Sequence, residues 1–173
     1  VLNEDVKPLY INSSRVSLQD IAKHYLVAAV LPTNDTLVRG LEVSLKKIKD
    51  IDAVLSFQAE PLLPYPVENA ILDRIILSQH QEGTSLTLLS ARLDRVQALI
   101  DTWKQYQIEP EVVTCTPAAL TSFCQLIAPQ KNILDVVHLS LAQTVCVLVR
   151  DGKLIASQAC SKNLGTLEKA FAG

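Results

Sequence analysis

Ile133-Leu-Asp-Val-Val-His-Leu-Ser-Leu141, then Gln143-Thr-Val-Cys-Val-Leu-Val-Arg150, a reversal at Asp151-Gly152 and a return through Lys153-Leu-Ile-Ala-Ser-Gln-Ala159 form the stretch that decides the fold. Short runs dense in β-branched residues and leucine, joined by Asp-Gly, mark a hairpin, because that dipeptide tolerates the positive φ angles of a two-residue reversal. Three antiparallel strands are predicted here. The last leads through Asn163-Leu164-Gly165 into a helix predicted over Thr166 to Ala172. A tight turn and a strand feeding a helix is local geometry in which an α/β protein holds a phosphate. Whether this chain does so separates an enzyme from a scaffold.

The wider composition narrows the choice. With 173 residues and 49% hydrophobic content the chain can bury a core, as one large domain or two small ones. Sixteen basic residues stand against 18 acidic ones, a formal charge of -2, so no basic excess points to nucleic acid or an anionic membrane. Cys115, Cys124, Cys146 and Cys160 are too far apart for a C-x-x-C pair, and His24, His80 and His138 are equally scattered, so no metal site is expected. Each cysteine lies in an apolar pattern, which predicts reduced core thiols and a reducing compartment. No apolar run approaches the roughly 18 residues of a membrane span, and no secretory signal opens the chain. Its abrupt ends suggest a piece of a longer protein.

From the start, Val6 to Ile11 is a short strand, Asn12-Ser13-Ser14 a turn, and Ser17 caps a helix reaching His24. Tyr25 to Leu31 and Thr36 to Val43 are strands, stopped and separated by Pro32 and Thr33-Asn34-Asp35, and are expected to pair as a hairpin. Ser44 is placed to cap a helix ending near Ala59, with Leu45, Ile48, Ile51 and Leu55 along one face and Lys46, Lys47 and Lys49 mostly off it. Pro61-Leu-Leu-Pro-Tyr-Pro66 interrupts both helix and sheet and predicts an extended connector. Asn69 to Ser78 and Ser85 to Ser90 form a second hairpin. Leu93, Val96, Ile100 and Trp103 share one face of a helix over Arg92 to Gln107, which makes Trp103 a core anchor. Glu111 to Cys115 is a strand, and Thr116-Pro117 opens a helix to about Ile127. The block from Val67 to Ile127 reads as a small α+β subdomain, with its hairpin and third strand in one sheet.

Catalytic signatures are missing. No histidine neighbours a Ser or Cys in a G-x-S-x-G elbow, and neither a Walker A motif nor a G-x-G-x-x-G occurs. The only carboxylate pair, Glu109 and Glu111, lies where a strand begins and reads as solvent-facing.

The order of several short motifs carries more. Leu31-Pro32 closing a strand, Leu37-Val-Arg-Gly-Leu-Glu-Val43 and Phe57-Gln-Ala-Glu-Pro-Leu-Leu-Pro-Tyr-Pro66 resemble the PilM and GspL proteins, relatives of the actin-like division protein FtsA. Leu86-Thr-Leu-Leu-Ser-Ala91, Tyr106-Gln-Ile-Glu-Pro110 and Thr116-Pro-Ala-Ala-Leu120 are similar to later parts of that family. The likeness runs from about Leu31 to Thr166. It implies an α/β, actin-like (ribonuclease H-like) main domain, truncated: residues 1–66 form its first part, 67–127 an inserted α+β subdomain, and 128–173 the hairpin and helix start of a second actin-like domain.

The resemblance also implies what the opening stretch should hold: a D-x-G-x-x-x-T hairpin for magnesium and phosphate. His138, Ser140 and Thr144 occupy those positions, and only the threonine matches. Histidine removes the hard oxygen ligand that magnesium favours, and Ser140 adds a Cβ where backbone must approach phosphate. Asp135 lies an odd number of strand positions from His138, so it faces the other way. Gly165 fits the family's glycine before the phosphate-facing helix, or a simple helix-start residue. No cofactor is expected, ATP and magnesium entering only if segments outside this chain restore the site.

The function implied is a non-catalytic scaffold of a type II secretion or type IV pilus platform, in the bacterial cytoplasm at the inner face of the inner membrane. Its partners would be inner-membrane platform proteins and the cytoplasmic secretion ATPase, with self-association compatible and no nucleic acid. Leu62, Leu63 and Tyr65 of the connector are candidate docking anchors. The alternatives are a nucleotide-binding ATPase completed elsewhere, and a regulatory module with a small ligand on the middle sheet.

Overall fold

The computed structural model describes residues 9–11, 14–16, 18–141 and 143–166. Residues 6–8 of the first predicted strand, the Asn12-Ser13 part of its turn, the Ser17 cap and all but the first residue of the last predicted helix lie outside them. Along the chain run β1 (Leu9–Ile11), β2 (Ser14–Val16), α1 (Leu18–Ala22), β3 (Ala28–Leu31), β4 (Thr36–Val43), α2 (Ile48–Ala59), β5 (Ala70–His80), β6 (Gly83–Arg92), α3 (Leu93–Gln105), β7 (Val112–Cys115), α4 (Thr116–Ile127), β8 (Ile133–Leu139), β9 (Thr144–Arg150) and β10 (Lys153–Cys160).

Strand β6 is the centre. It pairs antiparallel with β4 on one side and β5 on the other. Its sequence, Thr-Ser-Leu-Thr-Leu-Leu-Ser-Ala, has few charges because both faces are covered. Leu86 and Leu88 pack with Val43 and with Ile51, Leu55 and Ala59, which recur every four residues on α2. On the opposite face Leu89 and Ala91 join two further clusters. The predicted Ser44 cap is not formed: α2 begins at Ile48, after Lys47. The preceding residues are held to the sheet instead, where the Leu45 carbonyl accepts the Thr84 hydroxyl (2.6 Å) and the Lys46 carbonyl accepts Gln79 Nε2 (2.7 Å).

The hairpin expected between Tyr25–Leu31 and Thr36–Val43 does not form. Strand β3 pairs in parallel with β7, and β4 gives its whole length to β6. A 3-10 turn at Thr33–Asp35, with the Thr36 hydroxyl on the Thr33 carbonyl (3.2 Å), redirects the chain instead of reversing it. Two expectations change with it. The sheet crosses the division drawn at 66/67, because β4 lies before it and β5 and β6 after. Strand β7 also leaves the middle block to join β3.

The third sheet, ordered β10-β9-β8, has the predicted strands and the predicted reversal. Asp151 and Gly152 both have positive φ, 49° and 70°, as a two-residue hairpin turn requires. Val145, Val147, Val149 and Leu154 pack inward against Val38, with Leu89 and Leu120 at the margin. Leu31, Ala91, Val96 and Cys115 make another cluster beneath α3. Trp103 is half-buried and Leu93 half-exposed, so the α3 stripe is centred on Val96, Leu99 and Ile100. All four cysteines are free. Cys115 and Cys124 are core thiols as expected, but Cys146 and Cys160 are exposed on the outward face of the third sheet.

Candidate functional site

The end of the third sheet gathers His138, Ser140, Thr144 and Gly165, and local hydrogen bonds hold it closed. Ser140 sits across from Gln143. The Ser140 amide and hydroxyl both donate to the Gln143 carbonyl (3.1 and 2.8 Å), and the Gln143 amide donates back to Ser140 Oγ (3.1 Å). The Thr144 hydroxyl donates to the Lys162 carbonyl (2.7 Å), and the Leu164 amide to the Ser140 carbonyl (3.0 Å). Asn163 and Thr166 form a reciprocal cap, each amide donating to the other's side-chain oxygen at 2.9 Å. A Cβ on Gly165 would meet only Asn163 Oδ1, at 3.5 Å, so this glycine is not required by close approach.

Strand alternation puts Asp135 on the exposed face and His138 on the inner, half-buried one, as the odd spacing predicts. His138 Nδ1 and Gln143 Oε1 are buried without hydrogen-bond partners among the described residues. The Ser140 amide and Thr144 hydroxyl are engaged within the chain, and Asp135 lies on the face of β8 opposite His138. No cluster of three or more His, Cys, Asp or Glu side chains suited to a metal occurs among the described residues.

The connector residues lie elsewhere. Leu62 and Leu63 are half-buried against the α2 cluster, and the Tyr65 hydroxyl meets Ser90 Oγ at 2.8 Å. The connector is not uniformly extended, since a 3-10 turn at Glu60–Leu62 takes in its first two residues; a second turn, Val67–Asn69, follows it. Proline suits the first turn of such helices as well as extended chain.

Ser90 also lines a cavity of about 400 Å³ that sequence reasoning missed. Its floor is Leu31, Ala91, Val96 and Cys115, and Ile71, Asp73 and Ile75 of β5 form one side. That size is within the roughly 300–1,000 Å³ of ligand sites, and the lining is predominantly apolar. The cavity draws on strands from two sheets, so no local pattern announces it. The one sequence sign is Asp73, a charge between Ile71 and Ile75 on a strand face. Burial, and in smaller measure the charge of Asp73, push the Cys115 thiol above its ordinary range.

Comparison with known proteins gives structural matches only. No protein-family model and no curated protein matches the sequence. A solved PilM-PilN type IV pilus biogenesis complex matches with a TM-score of 0.70 at 21% identity, over 89% of this chain and 50% of that one. The cytoplasmic domain of EpsL, an inner membrane component of the type II secretion system of Vibrio cholerae, matches with a TM-score of 0.60 at 14% identity, over 83% of this chain and 53% of that one. The chain spans about half the length of these structures. Its architecture is the PilM/GspL-like actin-like fold.

Proposed function

We propose that the chain is a non-catalytic docking module, part of a scaffold that gathers assembly proteins at a type II secretion or type IV pilus platform. It would work in the bacterial cytoplasm, at the inner face of the inner membrane, on platform proteins and the cytoplasmic secretion ATPase. The observation that carries this reading is the apolar cavity beside β5, in a fold shared with a PilM that was solved together with PilN. The self-satisfied end of the third sheet supports a role without nucleotide. Tyr65, bonded to the cavity wall through Ser90, and Leu62 and Leu63, packed on α2, would brace the docking surface. Among the described residues no helix is long and apolar enough to cross a membrane.

The test is co-expression with the cytoplasmic segments of inner-membrane platform subunits, beside a calorimetric titration with magnesium-ATP. Capture that is lost on Ile71→Glu, with no heat from ATP, is expected. Micromolar ATP binding without capture would sink the proposal.

A second reading, a nucleotide site completed by segments outside this chain, draws on the unpartnered His138 Nδ1 and Gln143 Oε1. The same titration on the longest natural chain containing this segment decides it.

A further inference from the structure

At the end of the third sheet that lies away from Ser140 and Thr144, a second cavity, of about 360 Å³, opens between that sheet and the ends of β4, β5 and β6. Two irregularities meet there. The β5 register shifts between Ile76 and Ser78 and the β10 register between Leu154 and Ala156, so Leu77 and Ile155 are the extra residues of two bulges, and both line the cavity. A bulge leaves its extra residue out of the ladder and re-aims the chain beside it. The Leu77 carbonyl accepts Lys153 Nζ instead (2.8 Å). Lys153 stands directly across from Arg150, at the mouth of the Asp151-Gly152 turn. Like charges opposite one another on neighbouring strands repel, yet among the described residues neither cation is in an ion pair, and the Arg150 guanidinium has no hydrogen bond. Two carboxylates also line the cavity: Glu42 is engaged by Ser85 and His80, and Asp151 pairs with neither cation.

We propose that this cavity binds the phosphate group of a small phosphorylated solute, with Arg150 and Lys153 supplying the positive charge and Ser78 a hydroxyl. Two uncompensated cations side by side suit a dianion, and the planar guanidinium fork takes two phosphate oxygens at once. Lys153 spends one of its three N–H groups on Leu77, which fixes the amine and leaves two for the ligand. Glu42 lies on the other side of Ser85 from Ser78, in the same row across the sheet. Its carboxylate repels a second anionic group and accepts hydroxyls, so the solute carries one phosphate and a hydroxylated remainder. The cavity has the size for a small ligand, near the lower end of the roughly 300–1,000 Å³ range. None of its lining residues belongs to the cavity beside Leu31 and Cys115, and the docking reading is not needed for it.

The experiment is a nuclear magnetic resonance titration of the whole nitrogen-15-labelled chain with glycerol phosphate, run beside acetate as the carboxylate probe and sodium chloride as the ionic-strength control. The amide signals of Ser78, Gly152 and Lys153 should move together and saturate with glycerol phosphate, and added salt should weaken the binding. Arg150→Gln should lower the affinity about tenfold or more. Arg150 is exposed, so this variant keeps the fold, which circular dichroism checks. Acetate binding as tightly as glycerol phosphate would overturn the phosphate assignment. Shifts that never saturate, that spread over the surface lysines, or that persist unchanged in Arg150→Gln would mean adventitious anion contact only and overturn the site.

Discussion

The Thr87 hydroxyl donates to the backbone carbonyl of Leu154 across 2.6 Å, fully buried, and so ties the central strand of one sheet to an edge strand of another. Both partners lack access to water. Replacing Thr87 by Val keeps the shape but leaves the Leu154 carbonyl unpaired, at a cost of about 1–3 kcal/mol. Urea unfolding should show a lower midpoint with an unchanged slope.

Gly83 opens β6 directly against β4. A Cβ there would lie 2.9 Å from the Val43 carbonyl carbon and closer still to its oxygen, whereas one at Gly40 meets nothing within 4 Å. Gly83→Ala should therefore destabilise by about 2 kcal/mol or more, and Gly40→Ala should stay within about 0.5 kcal/mol of the parent. Thermal melts of the two variants make the comparison; similar behaviour would contradict the close approach.

The cysteines should divide by reactivity. Cys146 and Cys160 are exposed, while Cys115 and Cys124 are buried, with the Cys115 thiol held above its ordinary range first by burial. A thiol reagent at pH 8 should modify two sites quickly and the other two only with unfolding, read by mass spectrometry of the digest.

Glu42 accepts hydrogen bonds from Ser85 and His80, and these hold its carboxyl below the ordinary value of about 4.5. A carboxyl lowered in the folded state contributes stability above its unfolded value and loses it as pH falls through its folded one. Glu42→Gln should be slightly less stable than the parent at pH 6, with the gap closing as the pH falls below the ordinary value of about 4.5. A gap that widened in acid would reverse the assignment.

What the sequence disclosed followed the range of the interactions. Strands β8 to β10 were legible because Asp151-Gly152 and the runs beside it are local, and α2 because Ile51 and Leu55 recur on one face, although Ile48 of the same expected stripe is exposed. The partners of β3 and β4 were not. Strands of four residues, as β3, or of eight, as β4, declare that they are strands, not what they pair with, and neighbouring strands are the natural first guess. Cys146 defeated the burial reading for another reason. Val-Cys-Val-Leu-Val is apolar at every position, so alternation does not distinguish the inner valines from the outward cysteine. At the candidate sites, Ser140 and Thr144 were legible as neighbours because they flank one strand reversal. The cavity is assembled from distant segments and leaves only Asp73 as a trace.

The parallel pair of β3 and β7 is fastened by the Thr116 hydroxyl on the Leu31 carbonyl, residues 85 positions apart in the chain. Closing so long a loop costs entropy before its contacts return anything, and contacts of such separation slow folding. The cavity shares Leu31 and Cys115 with that closure. It is thus expected to exist only in chains that have finished folding. A partner gripping it would stabilise the completed chain by mass action and pass over the unfinished one, making docking a proofreading step for maturity as well as an act of assembly.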